Sequence, residues 1–175
     1  VRSGLVEPTT NYFVGRVKRD LRASNTIVGG MVTTVHRDMR DDDFTGLLHD
    51  RAFLGGLDFE HRWKNRRYTL SGYFARTLVE GDRTVIANTQ SAPARYYLRP
   101  DASHLEFDPN RTSLEGNMYE LALQRSGDFH WSLDYKVTEP GFEINDLGFH
   151  GRTDYRAFTT LIGRRYNMPK GILRH

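Results

Sequence analysis

Apolar and polar side chains alternate one by one along much of this sequence, which is the pattern of a β-strand and not of a helix. The clearest stretch is 129–138, where every odd-numbered residue is apolar and every even-numbered residue is polar. Successive side chains of a strand point to opposite faces, so this stretch predicts a strand with one apolar and one polar face. The chain is therefore expected to form a sheet with two chemically different sides.

Six more stretches favour strands. Residues 53–63 and 68–74 alternate clearly, with Asp58 and Glu60 on the polar side of the first stretch. Weaker candidates, rich in Thr, Val, aromatic residues and Gly, lie at 12–20, 26–36, 114–125 and 155–165. Together these stretches predict seven strands and an all-β fold.

The links between the predicted strands alternate between short and long. Short links lie at 21–25, around Asn65 and at 126–128, and long links lie at 37–51, 80–112 and 139–153. Outer-membrane barrels alternate in this way, with short periplasmic turns and long outer loops. We therefore expect an antiparallel meander that forms a segment of a transmembrane up-and-down β-barrel.

Charge follows the same division. Basic residues lie at the short-link ends: Arg16, Lys18, Arg19, Arg22, Lys64, Arg66, Arg67, Arg125, Arg164 and Arg165. Acidic residues concentrate in the long links, although these links also contain arginines such as Arg95 and Arg99. The aromatic residues near strand ends, Trp63 and Tyr68 among them, suit the girdles of a membrane barrel.

Composition excludes several classes of structure and function. Only 38% of the residues are apolar, and no more than three apolar residues stand in a row, whereas a membrane-spanning helix needs about 20. The chain has no cysteine, so disulfides and thiolate chemistry are excluded. Its net charge is +3 without a dense basic block, so a nucleic-acid partner is not expected.

The long link at 80–112 is expected to fold back on the protein, because links of this length are rarely featureless. Residues 84–98 are compatible with a short helix that Pro93 interrupts. In a barrel, the segment would be a plug or constriction in the lumen. The alternative is a surface loop with one helical turn.

Residue spacing gives no catalytic or metal site. The seven histidines show no metal-binding spacing, and no Gly-x-Ser-x-Gly elbow is present. Glu143 with Asp146, or Asp101 with Glu106, would suit glycoside hydrolysis only if each pair converged. We therefore predict no catalytic residues, no metal ligands and no cofactor, and the sequence does not identify the binding residues. Glu143 and Asp146 could bind a sugar hydroxyl or a hard cation such as calcium, or pair with arginines such as Arg95 and Arg99. We expect the ion pairs, because they demand less geometry than a cation cage of six or more oxygens.

Five motifs are distributed over nearly the whole chain. They are NYFVGR at 11–16, GGLD at 55–58, RRYTLSG at 66–72, RYYLRPD at 95–101 and PGFEINDLGF at 140–149. On these motifs, the last being the most specific, the chain resembles an uncharacterised bacterial outer-membrane barrel domain that follows a family-nine-like carbohydrate-binding module. The resemblance implies the bacterial outer membrane as location and the lipid bilayer as partner. It also implies a carbohydrate partner, reached through an N-terminal module outside this chain, and it implies no catalytic mechanism.

Residues 1–175 are accordingly expected to form a single barrel segment within a larger barrel. Residues 172–175 would open an eighth strand, and the start at Val1 without a signal pattern favours a piece of a longer protein. The expected function is non-enzymatic: a surface anchor or a solute path for a carbohydrate-associated protein. The alternatives are a soluble β-barrel that binds a small apolar ligand and, third, an outer-membrane hydrolase that uses loop carboxylates.

Overall fold

A computed structural model describes residues 7–39, 44 and 46–166 of the chain. The described residues form seven strands and one helix. In chain order, these are β1 (Thr10–Leu21), β2 (Thr26–Arg37), β3 (Arg51–Trp63), β4 (Tyr68–Glu80), α1 (Arg83–Ser91), β5 (Ser113–Arg125), β6 (Phe129–Thr138) and β7 (Tyr155–Arg164). No helix in these ranges is long and apolar enough to cross a membrane.

The strands form one antiparallel sheet in the order of the chain, from β1 to β7. The predicted all-β meander is therefore confirmed, and the main difference is that β4 continues to Glu80 instead of ending near Phe74. Within the described part of the chain the sheet is not closed into a barrel, and β1 and β7 are its two edges. The eighth strand predicted at 172–175 lies outside the described residues.

Tight turns lie along one end of the sheet and long links along the other. The β1–β2 and β3–β4 turns each place three consecutive residues in the left-handed region, with φ of 53° at Ala23 and 55° at Asn65. Gly127 has a φ of 128° in the β5–β6 turn, where a side chain would be strained. We call the two ends of the sheet the tight-turn end and the loop end.

One face of the sheet, which we call the inner face, is covered at the loop end by α1. Ala52, Val79 and Leu114 lie side by side in the register of the strands and are almost completely buried. Val85 and Ile86 of α1 pack against them. This cluster is the apolar core of the described structure.

Local residues explain where the helix begins and ends. Asp82 caps it by accepting a hydrogen bond from the Thr84 N–H at 2.8 Å. It ends at Ser91, and Ala92 has extended backbone, as expected for a residue before Pro93. The predicted interruption at the proline is confirmed, and the segment folds onto the inner face. Its action as a plug in a closed lumen remains a prediction.

Beyond the core, towards the tight-turn end, the inner face is polar. Tyr73, Glu120 and Lys136 are direct neighbours on three adjacent strands. The Tyr73 hydroxyl donates to Glu120 at 3.2 Å, and the Lys136 ammonium lies 3.8 Å from the same carboxylate. Arg16 pairs with Asp58 at 2.9 Å on this face. This part of the inner face therefore carries paired positive and negative side chains.

The opposite face, which we call the outer face, carries large apolar side chains that nothing in the described structure covers. Val17 of β1 is 76% exposed, Leu57 of β3 is 67% exposed and Ile162 of β7 is 69% exposed. Leu133 and Tyr135 from the clearest alternating stretch are also exposed on this face. The predicted division into an apolar and a polar side is confirmed, and the apolar side is the uncovered one.

Candidate functional site at the loop end

A cleft of about 380 Å³ lies between α1 and the 139–153 link at the loop end. Seven polar side chains from four separate parts of the sequence line it: His49, Asn88, Thr89, Arg95, Glu143, Asn145 and Asp146. It brings together more buried charges than any other place in the described residues. We therefore treat this cleft as the candidate site.

Two glycines allow the 139–153 link to lie directly on β5. A Cβ atom on Gly141 would stand 2.0 Å from the carbonyl oxygen of Glu115, and one on Gly116 would stand 2.2 Å from the amide nitrogen of Phe142. The Phe142 side chain is fully buried beside this contact, and the Glu143 N–H donates to Thr77 Oγ1 at 3.0 Å. The link is therefore an ordered part of the inner face.

Glu143 forms the most deeply buried ion pair. Arg95 Nη2 lies 2.6 Å from Glu143 Oε2, and each side chain is 4% exposed. The N–H directions of Arg95 do not point along this contact, and among the described residues Nε and Nη2 find no hydrogen-bond acceptor. Glu143 also accepts from the Asn145 N–H at 2.7 Å. The pair fixes the start of the link on the segment that follows α1.

Asp146 holds the other side of the cleft. One of its oxygens accepts from Arg37 Nη1 at 2.7 Å, and the other lies 2.6 Å from His49 Nδ1. The second ring nitrogen of His49, Nε2, lies 2.9 Å from Thr89 Oγ1. A continuous polar chain therefore connects β2, the β2–β3 link, α1 and the 139–153 link.

The charge of Asp146 is stabilised by its partners. Burial alone would raise the pKa of its carboxyl group, but the hydrogen bond and charge of His49, followed by the charge of Arg37, outweigh burial. The pKa therefore lies below its ordinary value. The carboxylate stays ionised at neutral pH and accepts from both partners.

An aspartate, a histidine and a hydroxyl in line are the parts of an acyl-transfer triad. Thr89 Oγ1 lies 2.9 Å from both Val85 O and His49 Nε2. A carbonyl can only accept, so both contacts are satisfied when the threonine hydrogen points to Val85 O and His49 donates to the hydroxyl. In that arrangement His49 holds Thr89 in place and does not take its proton.

A second charged group joins the segment after α1 to Asp154, just before β7. Asp154 pairs with Arg99 and lies 3.0 Å from His104 Nε2, next to an open cavity of about 460 Å³. Burial tends to raise the pKa of Asp154, but His104 and then Arg99 outweigh it, so the pKa is lowered. Because His104 is largely exposed, this group lies at the protein surface.

The sequence predictions for the link carboxylates are largely confirmed. Glu143 pairs with Arg95 as expected, whereas Asp146 pairs with Arg37 and His49, and Arg99 takes Asp154 instead. Asp101 and Glu106 are both exposed and do not line the cleft. Across the described ranges, no three His, Asp or Glu side chains are grouped to hold a metal ion.

The residues that sequence reasoning missed are Arg37, His49 and Thr89. His49 and Asp146 are 97 positions apart, and His49 and Thr89 are 40 apart. No local spacing marks such a group, because the sheet register alone brings the three segments together. The only local signal was PGFEINDLGF, which supplies both carboxylates.

Comparison with known proteins gives one match. A family model described as a domain of unknown function, DUF5916, covers residues 1–175. No curated protein and no solved structure matches the chain. The predicted kinship with a domain of unknown function is therefore confirmed, while the carbohydrate-binding module and the outer membrane remain predictions.

Proposed function

Since the chain belongs to the DUF5916 family, a domain of unknown function, we propose that it is a segment of a transmembrane β-barrel in a bacterial outer membrane. In this role it anchors a carbohydrate-associated protein at the cell surface or lines a path for a solute. The proposal is carried by one observation, the placement of apolar residues on the uncovered face of the sheet and of charged residues on the inner face.

The two faces suit lipid outside and water inside. Phe59, Phe74 and Leu121 are exposed on the outer face, where a hydrocarbon environment would favour them. The inner face holds Asp58 and Glu120 with their basic partners. Burial of such groups in a dry core costs a few kcal/mol for each one left unpaired, whereas a wet lumen solvates them.

The apolar residues form a band that crosses the strands obliquely. In β1 the outer apolar residues run from Phe13 to Val17, centred on Gly15; in β5 they are centred on Leu121. Following the register from Leu121 back through β4, β3 and β2 leads to Arg19 in β1. The band therefore shifts by four residues, from 15 to 19, over the four steps between β1 and β5.

A shift of one residue per strand gives the tilt of the band. One residue rises about 3.3 Å along a strand, and neighbouring strands lie about 4.8 Å apart. A band that runs parallel to the membrane plane therefore requires strands tilted by roughly 35° from the barrel axis. Transmembrane barrels have strands tilted by roughly 35–45°. The apolar band thus has the inclination that a membrane-spanning barrel needs.

The Arg76–Glu115 ion pair on the outer face lies outside the oblique apolar band. Arg76 and Glu115 form an ion pair at 2.6 Å on the outer face. Arg76 lies in the same register row as Gly55 and Gly15, which are inside the band on β3 and β1. On β4 and β5 the band has moved towards the tight-turn end, so the pair lies outside the band.

Strand length agrees with the same proposal. The strands have 10 to 13 residues, and a transmembrane strand tilted at about 45° needs roughly 9–11. The cluster of α1 and the 139–153 link lies on the inner face at the loop end. In a closed barrel, this cluster would narrow the lumen at the loop end, which faces the outside of the cell.

The alternative of a soluble barrel that holds a small apolar ligand fits the faces less well. A binding cavity for an apolar molecule needs apolar residues on the inside of the barrel. Here the inner face beyond the core carries Arg16, Asp58, Glu120 and Lys136. Most exposed apolar residues lie on the outer face, and the exceptions include Tyr12 and Val14, which are exposed on the inner face of the edge strand β1. The observations therefore favour the membrane barrel.

The test is the behaviour of the natural full-length protein. We expect it to sediment with membranes, to resist extraction by alkaline carbonate and to require detergent for a monodisperse state. The control is a periplasmic protein processed in parallel, which carbonate should release. A protein that stays monodisperse in plain buffer would overturn the proposal.

A second candidate, an outer-membrane hydrolase, is favoured by the Asp146–His49–Thr89 line in the cleft. In that case Thr89 Oγ1 would attack an ester carbonyl carbon while His49 takes its proton and passes it to the leaving alcohol, and water would then release the acid. The test is hydrolysis of p-nitrophenyl esters by the detergent-solubilised protein. Activity that Thr89→Val abolishes supports this candidate, and absence of activity leaves His49 with the structural role.

A further inference from the structure

We propose that the tight-turn end of the sheet binds the phosphate groups of anionic lipids in the leaflet on that side. This inference rests on the membrane barrel proposed above and names the lipids that surround it. The observation that leads to it is the concentration of positive charge at this end.

The charged residues of the tight turns and the strand ends beside them are almost all basic. Within 21–25, 64–67, 125–129 and 164–166, the basic residues are Arg22, Lys64, Arg66, Arg67, Arg125, Arg164 and Arg165, and the acidic residue is Asp128. We call this set the tight-turn rim. The chain as a whole has nearly balanced charge, with 25 basic and 22 acidic residues, so the imbalance is local.

Three arginines of the rim converge on one open cavity. Arg67, Arg125 and Arg164 come from three different strand ends and line a space of about 350 Å³ together with Phe129 and Asp128. Guanidinium groups bind phosphate oxygens with two parallel hydrogen bonds, so a cavity with three of them suits an anionic headgroup.

Aromatic residues beside two of these arginines indicate how deep in the proposed membrane the guanidinium groups lie. The guanidinium carbon of Arg125 lies 5.4 Å from the ring centroid of Phe129, and that of Arg164 lies 5.1 Å from the ring of Tyr166. Aromatic girdles of membrane proteins sit at headgroup level. Cations that lie over such rings are therefore at the level of the lipid phosphates.

The apolar band adjoins the rim, which distinguishes a lipid from a free anion. Arg125 is the direct register partner of Tyr68 on one side and of Trp131 on the other. Both aromatic residues lie on the outer face, continuous with Leu70 and Leu133 of the band. A ligand with a phosphate above and acyl chains below matches this arrangement, whereas inorganic phosphate would use only the upper part.

The test uses the natural full-length protein in nanodiscs of phosphatidylcholine that contain a small fraction of fluorescent phosphatidylglycerol. We expect energy transfer from the tryptophans to show enrichment of phosphatidylglycerol around the protein. The triple variant Arg67→Gln, Arg125→Gln and Arg164→Gln should lower this preference by about tenfold or more, since each cation near the surface attracts anionic lipid.

The matched control is Arg51→Gln, Arg83→Gln and Arg152→Gln, which removes three exposed arginines from the loop end. The preference should be unchanged in this control. An equal loss in both triple variants, or no preference in the native protein, would overturn the lipid site. Displacement of the lipid by millimolar inorganic phosphate would show an anion site that does not need the acyl chains, and would overturn it as well.

Failure of this inference can be told apart from failure of the proposed function. A protein that inserts into pure phosphatidylcholine but shows no preference for phosphatidylglycerol refutes the rim site alone. A protein that does not insert into either bilayer refutes the membrane barrel itself. Circular dichroism of both triple variants establishes that each one is folded.

Discussion

Single residues decide how closely the links approach the sheet. Gly116 and Gly141 face each other where the 139–153 link crosses β5, and neither position has space for a Cβ atom. The backbone of the link therefore lies against the backbone of the strand. This contact puts Phe142 and Glu143 at a depth that a bulkier pair would prevent.

Gly141→Ala should destabilise the link strongly. The new Cβ would be 2.0 Å from Glu115 O, which is a backbone atom, so the link must move away. Overpacking of this kind typically costs about 1–3 kcal/mol. Limited proteolysis within 139–153 should show faster cleavage than in the native protein. Gly148→Ala is the control, since its Cβ would meet Ile144 Cδ1 at 3.8 Å, and equal cleavage of the two variants would contradict the prediction.

Glu143→Gln should lower the free energy of unfolding. The change leaves the positive charge of Arg95 buried without its counter-charge, and breaking a buried pair in this way costs about 3–5 kcal/mol. Denaturant unfolding in detergent micelles measures the loss. Glu106→Gln, at an exposed position, serves as the control. Strong calcium binding by the native protein, combined with unchanged stability of Glu143→Gln, would instead identify Glu143 as a cation ligand.

Asp146 should make stability depend on pH in acid. Its pKa is lowered in the folded state, so its stabilising effect is complete above the ordinary value of about 4 and is lost as pH falls through the lowered value. The unfolding midpoint of the native protein should therefore drop as pH decreases below about 4. In Asp146→Asn this contribution is absent, and the curve should be flatter over the same window. Parallel curves for the two proteins would refute the assignment.

At the scale of the elements, two patterns combine: side chains alternate within each strand, and the apolar stretch shifts in position from one strand to the next. The alternation separates the faces, and the register moves the apolar stretch by one residue per strand. If the band runs parallel to the membrane plane and the strands are tilted, the band crosses each strand at a different register position. This relation predicts where a charge is tolerated on the outer face.

Phe74→Arg should be costly and Leu78→Arg should not. Both residues lie on the outer face of β4, but Phe74 is inside the oblique band and Leu78 is beyond Arg76, outside it. Arginine facing lipid near the midplane costs about 2–4 kcal/mol and close to the interface about 0–1 kcal/mol. Refolding into lipid vesicles with denaturant titration measures both. Leu133→Arg should behave like Phe74→Arg, whereas Asp134→Asn on the inner face should cost little.

At the largest scale, the described part of the chain is one sheet with a polar inner face and a packed cluster at the loop end. The cluster combines α1, the segment after it and the 139–153 link, tied together by the ion pairs of Glu143 and Asp146. If the sheet closes into the proposed barrel, this cluster would narrow the lumen at the loop end. The ion pairs hold the 139–153 link against β2 and against the segment that follows α1.

Replacing residues 83–110 with a short Gly-Ser linker should raise permeability. The segment supplies Val85, Ile86 and Tyr97 to the core, and its removal uncovers the inner face at the loop end. Single-channel conductance of the natural full-length protein in planar bilayers measures the effect. Asn88→Ala, at an exposed position of α1, is the control. Unchanged conductance after the replacement would show that the segment does not restrict the path.

The sequence alone determined the strands and their faces. Alternation is a local property, so the apolar and polar faces of 129–138 could be assigned from those residues alone. The short and long links gave the meander, and Pro93 gave the end of the helix. The PGFEINDLGF motif, the most specific of the five, marked the link that supplies Glu143 and Asp146 to the cleft.

Only the tertiary structure decided the partners and the inclination of the band. His49 reaches Asp146 across 97 positions, and Asp146 takes Arg37 where Arg99 was an equally suitable candidate by sequence. Such pairings depend on the register between strands, which moves a side chain by several ångströms for each residue of shift. The oblique band has the same origin, since it exists only when the apolar stretches of separate strands are aligned by their hydrogen bonds.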